Sequence, residues 1–129
     1  MRIDTDAIDD RTVVCRLAGE LDAYTAPDLR DTLAEHIRSG VAWIIADLGQ
    51  LRYLDSTGLG ILVGAAKQCR QAGGDLAVAC DRRNLLKIFQ ISGTQEILNV
   101  VADVEAARAR LQELAHSRQA GAGDAEEGT

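Results

Sequence analysis

The sequence predicts an α/β domain: a mixed β-sheet of four to five strands, with about four helices packed mainly on one face. Three observations predict it. Near the start, Val13, Cys15 and Leu17 alternate with Val14, Arg16 and Ala18, the period-2 pattern of a half-buried antiparallel strand. Further on, "VAWIIADL" is almost wholly apolar, as a strand covered on both faces should be. A helical stretch and a second apolar run, "DLAVAC", follow it; strand, helix and strand within about 40 residues imply a right-handed parallel crossover.

Taken in order, "RIDTDAI" and "RTVVCRLAG" read as two strands joined by a turn at Asp9, Asp10 and Arg11. A helix follows "GELDAY". Thr25 is its predicted cap, Asp28 completes a capping-box spacing, Pro27 fits the first turn where its missing N–H is harmless, and Gly40 stops it. Leu29, Leu33 and Ile37 form its inward stripe. The strand "VAWIIADL" is expected to end at Leu48. Beyond it, Leu59, Ile61, Leu62, Ala65, Ala66 and Cys69 recur near every 3.6 residues, so a helix runs from about Ser56 to Gly73 and Gly74. After "DLAVAC" come a short helix in "RNLLKIFQI" ended by Gly93, a short edge strand in "EILNVV", and an amphipathic helix started by Asp103. The domain is expected to span residues 1–116. Residues 117–129, small, polar and acidic, are expected to be a disordered tail.

Composition narrows the function. Of 129 residues, 47% are hydrophobic and 26% charged, the balance of one soluble domain. The formal charge is −6 without a basic stripe, which argues against nucleic acid and against direct contact with anionic membrane. No apolar run reaches the length of a membrane span and the N-terminus does not read as a signal peptide, so the expected location is cytoplasmic. Cys15, Cys69 and Cys80 are odd in number and lack CxxC spacing, and are read as reduced, buried small hydrophobes. His36 and His116 fall in helical patterns with no second ligand at metal spacing, so neither a metal site nor a cofactor is expected.

The chemistry concentrates in "LRYLDSTGLGILVG". An acid, two hydroxyls and two glycines open an apolar helix just after a strand's carboxyl end, the edge where sheets with parallel crossovers meet ligands. Ser56 is placed as the N-cap, accepting from the free N–H groups of the first turn, and Asp55 before it gains from the helix dipole. Gly58 and Gly60 keep the turn bare for close approach. Two readings stand at this point: Ser56 as a cap only, or Ser56 as a reactive hydroxyl. Catalysis by the serine itself is disfavoured. No base lies near, the G-x-S-x-G elbow is missing, and "GLG" is too short for a dinucleotide fingerprint. Asp22, in the loop before the first helix, opens at the same edge, either as a partner contact or as a turn aspartate. Thr57 is a second hydroxyl, which helix geometry turns away from the cap.

These residues carry a resemblance. "LRYLDSTGLGILVG" is similar to the phosphorylation motif of bacterial anti-sigma factor antagonists, the STAS-domain family. "LAGELDAYTAPDLRDTL" resembles that family's second strand, loop and first helix, and "LLKIFQISG" its third-helix region, so the likeness covers about residues 3 to 115. It implies a STAS-like sheet and a non-catalytic binding protein. When unphosphorylated, such a protein binds an anti-sigma factor that is a GHKL-type serine kinase, and so frees the sigma factor. The kinase phosphorylates the motif serine, here Ser56, which releases the antagonist, and a PPM-type phosphatase resets it. Asp22, Asp55, Thr57, Gly58 and Gly60 are then the expected partner-binding residues around the phosphorylation site. In "ISGTQEIL" this chain has Thr94 where the family more often has an apolar residue, a departure that bears on partner choice rather than fold.

A second binding reading is a STAS subunit of a membrane lipid- or anion-transport complex, associated with membrane through a partner. A small hydrolase has neither a base nor a phosphate loop to support it. A monomer is the expected state.

Overall fold

The computed structural model describes residues 1–127, with side chains to Gln119. Five strands and four helices alternate along it: β1 (Arg2–Asp9), β2 (Thr12–Leu21), α1 (Ala26–Arg38), β3 (Trp43–Leu54), α2 (Ser56–Gln71), β4 (Asp75–Ala79), α3 (Arg83–Ser92), β5 (Val100–Val101) and α4 (Val104–Glu127). The sheet order is β1-β2-β3-β4-β5. β1 lies antiparallel to β2, and every later pair is parallel, the mixed sheet the sequence predicts.

The core has two parts. On one face, Val13, Cys15 and Leu17 of β2, Ile44 and Ala46 of β3 and Leu76 and Val78 of β4 are covered by α1, α2 and α3 through Leu29, Leu33, Leu62, Ala66, Leu85 and Phe89. On the other face, a smaller cluster joins Val14, Ile45, Ala77 and Ala79 to Ala107 and Leu111 of α4. Three helices share one face and α4 has the other. β2 keeps the half-buried alternation the sequence predicts, with Arg16 and Glu20 exposed on its second face, except at Val14, which is closed to solvent because α4 backs the sheet there.

β3 departs from expectation in length. It does not stop at Leu48 but continues to Leu54, through two irregularities in its pairing with β2 between Arg16 and Ala18 and between Gly19 and Glu20. Asp47 Oδ1 accepts from the N–H of Gly49 (2.9 Å) at the first of these, so a polar Asp-Leu-Gly-Gln stretch stays within the strand as a bulge. The expected edge strand in "EILNVV" shrinks to β5. Residues 95–99 form turns instead, and Asn99, at φ 47°, donates from Nδ2 to the carbonyl of Leu76 (2.9 Å).

Asp75 supplies a tie that no local pattern announces. Its carboxylate is 4% exposed and is held by Arg70 of α2 (3.0 Å) and Arg118 of α4 (2.8 Å). Arg118 also lies over the Trp43 ring, 5.6 Å from the centroid, and donates to the carbonyl of Gly74. α4 thus passes through position 116, where composition places the domain boundary, with Arg118 still packed on the sheet. Of the tail expected over 117–129, residues 128 and 129 lie outside the described residues.

Candidate functional site

β2 and β3 end side by side, with Leu21 opposite Leu54. The N–H of Asp55 donates to the carbonyl of Leu21 (3.1 Å), which closes the pair and turns the chain into α2. The N-cap of α2 is Asp55, not Ser56. Asp55 is extended (φ −106°, ψ −178°), and its Oδ1 accepts from the N–H of Gly58 (3.0 Å). The reason is the extra length of β3: a strand that runs to Leu54 leaves the next residue in the extended conformation an N-cap needs, and a carboxylate there reaches the third amide of the helix. Ser56 becomes the first helical residue. Its side chain is exposed and makes no hydrogen bond among the described residues, and the same holds for Thr57 one position on.

The second oxygen of Asp55 reaches across the edge. Oδ2 accepts from the N–H of Ala23 (3.1 Å), so one carboxylate pins the α2 N-terminus to the loop before α1. That loop is itself fixed. Asp22 Oδ1 accepts from the N–H groups of Tyr24 and Thr25, both at 3.0 Å. These bonds, that of Thr25 foremost, hold the Asp22 carboxyl below the ordinary aspartate range. Thr25 does not cap α1 with its side chain, as its spacing suggested; its hydroxyl donates to the carbonyl of Glu20 (2.8 Å) and accepts from the N–H of Asp22 (3.0 Å). Asp22 instead gathers the amides of the turn that leads into α1, and no side chain caps the helix itself.

The two glycines separate in role. A Cβ on Gly58 would stand 2.5 Å from Leu21 Cγ and 3.0 Å from Leu54 Cδ1, so its bareness lets α2 seat on the ends of β2 and β3. A Cβ on Gly60 would meet nothing within 4 Å, and Gly60 is exposed beside the serine's turn. Of the residues singled out in the sequence, Asp22, Asp55, Ser56, Thr57 and Gly60 come together at this edge, while Gly58 faces the core. Sequence reasoning missed the bridge from Asp55 to Ala23, the residue before Tyr24, because it depends on how two distant turns meet.

The other chemically able groups lie elsewhere. His36 is in the last turn of α1 and His116 is in α4. Cys15, Cys69 and Cys80 are free and buried, and burial pushes the Cys15 and Cys69 thiols up to about 12. Among the described residues no group of His, Cys, Asp and Glu is arranged to hold a metal ion, and no helix is long and apolar enough to cross a membrane.

A family model for the STAS domain matches residues 3–107. The chain is a STAS domain of the anti-sigma factor antagonist family. The anti-sigma-B factor antagonist of Listeria monocytogenes is 39% identical to it over 98 residues, 75% of this chain and 81% of the relative. The structure of the anti-sigma factor antagonist SpoIIAA in its unphosphorylated form superposes on this STAS domain with a TM-score of 0.73 at 27% identity, covering 84% of this chain and 96% of that one. The Bacillus cell fate determinant SpoIIAA in its phosphorylated form superposes with a TM-score of 0.67 at 25% identity, covering 84% and 98%. The mixed sheet and its four helices are thus those of a STAS domain.

Proposed function

We propose that this STAS domain works by partner switching, with Ser56 as the phosphoacceptor. The unphosphorylated form binds an anti-sigma factor that is a GHKL-type serine kinase and so releases the sigma factor. Transfer of phosphate to Ser56 ends the binding, and a PPM-type phosphatase restores it. The observation that carries this reading is the division of labour at the α2 N-terminus: Asp55 takes the cap, which leaves the Ser56 hydroxyl exposed and unbonded. A serine needed only as a cap would hold the amide that Asp55 holds.

The chemistry agrees. Phosphorylation would add about −1.5 to −2 charges at pH 7. The first-turn amides of Ser56 and Thr57 take no acceptor among the described residues, so the phosphate meets free donors and the positive end of the dipole, worth roughly 0.3–2 kcal/mol. The modified domain stays folded, and the likeness to both forms of SpoIIAA supports that. Loss of binding then arises at the interface. Two charges about 7 Å from one partner carboxylate cost about 5 kcal/mol at an effective dielectric of about 20, and a hundredfold weaker complex needs only about 2.7 kcal/mol.

The domain is substrate and ligand in this scheme, not catalyst, and needs no cofactor: neither histidine stands at this edge to serve Ser56 as a base. Asp22 and Asp55 shape the docking edge, Gly60 leaves room for the partner, and Thr57 is a poorer acceptor one residue further round the helix. The test is incubation of the purified chain with its cognate kinase and Mg·ATP, followed by peptide mass spectrometry. Phosphate on Ser56, none on Thr57, and none on a Ser56→Ala variant is the expected result; phosphate elsewhere, or persisting in that variant, overturns the assignment.

A further inference from the structure

The chain holds one Trp, two Tyr and one Phe, and the four divide sharply. Phe89 is fully buried, and Trp43 lies under the Arg118 guanidinium. Both tyrosines are exposed: Tyr24 by 91% and Tyr53 by 50%. Neither hydroxyl makes a hydrogen bond among the described residues, so the rings do little for the fold. Yet both stand at the edge that presents Ser56. Tyr53 is two residues before Asp55, next to exposed Glu20 across the parallel pair and on the sheet face opposite Leu54. Tyr24 follows Ala23, whose N–H is bonded to Asp55, and its own N–H is held by Asp22.

Tyr24 therefore projects into solvent from a backbone fixed on both sides, an arrangement that costs little further ordering when a partner covers the ring. Tyrosine is enriched where protein interfaces are buried and among the residues that dominate their affinity. We infer that Tyr24 and Tyr53, at the ends of the two strands that present Ser56, are the two aromatic anchors of the docking surface for the kinase. The inference rests on the function proposed above and adds to it a separation of roles: the tyrosines supply affinity, and Ser56 supplies the switch. Contacts made equally in the docked complex and during phosphoryl transfer alter KM and leave kcat unchanged.

Binding of Tyr24→Ala, Tyr53→Ala and Tyr24→Phe to the purified cognate kinase with ADP, and initial rates of Ser56 phosphorylation with Mg·ATP, test this. Each alanine variant is expected to bind about tenfold or more weakly and to raise KM by a similar factor at unchanged kcat, with thermal melting as in the wild type. Tyr24→Phe, which keeps the ring, is expected to stay within about threefold of wild type. Wild-type affinity in both alanine variants, while Ser56→Glu still fails to bind, overturns the anchors and leaves the switch standing. A fall in kcat at unchanged KM also overturns them. Failure of the wild-type chain itself to bind the kinase removes the functional reading on which the inference depends.

Discussion

Asp55 satisfies two backbone donors from different parts of the chain with one carboxylate, and Ser56 is free because of it. Replacing Asp55 with Ala removes an N-cap, for about 1 kcal/mol of stability by the usual cost, and also unpins Ala23. We expect Asp55→Ala to melt a few degrees lower and to be phosphorylated more slowly, since the acceptor is no longer held against the Asp22 loop; calorimetry and a kinase time course check this. Gly58→Ala places a methyl against Leu21 and Leu54. The expected loss is about 1–3 kcal/mol in urea titration, the range for overpacking. Asp22 carries a pH signature. Its folded carboxyl is held low by the Thr25 and Tyr24 amides, so its contribution is complete above the ordinary aspartate value and is lost as pH falls through the lower, folded one. An Asp22→Asn variant should therefore show a shallower acid decline in thermal melting below about pH 4. The motif made this edge legible: acid, hydroxyls and glycines after a strand could only open a helix. Assignment of the cap slipped by one residue because Asp and Ser both suit it, and only the conformation left by β3 decides between them.

β3 and α2 are the elements that position the site. Their types were plain from apolar run and 3.6 spacing. The end of β3 was not, because Gly49 and Gln50 interrupt the apolar run and the bulge that absorbs them is visible only against β2. α4 was legible as an amphipathic helix started by Asp103, whose Oδ1 accepts from the N–H of Ala106 (2.8 Å). Its reach to Asp75 was not legible, since residues 43 apart in sequence leave no local pattern. Asp75→Ala leaves Arg70 and Arg118 without their shared carboxylate. We expect a loss of about 1–3 kcal/mol, below the range for a fully buried pair because both arginines reach solvent. Two-state urea unfolding measures it, and binding at the Ser56 edge should be unaffected. The turn between α2 and β4 is equally constrained: a Cβ on Gly74 would stand 1.8 Å from the carbonyl oxygen of Ala42, so Gly74→Ala must move one of the two connections.

Across the whole molecule, the sheet separates what holds the fold from what is offered to a partner. The apolar clusters, the Asp75 tie and the three buried thiols lie within or beneath the sheet; the unbonded serine and both exposed tyrosines lie at one edge of it. A charge added at that edge should change what the domain binds without changing whether it folds. The fold class and the family resemblance were readable because strand, loop and helix motifs occur in order over most of the chain, whereas the surface a partner reads is assembled from turns far apart in sequence. Whether charge at Ser56 is the switch is decided by calorimetric titration of the cognate kinase, loaded with ADP, by the unmodified chain and by the chain phosphorylated at Ser56, with thermal melting of both forms alongside. A phosphorylated switch binds at least about a hundredfold more weakly at a closely similar melting temperature. Equal affinities would contradict it, as would a phosphorylated form that loses binding because it has unfolded.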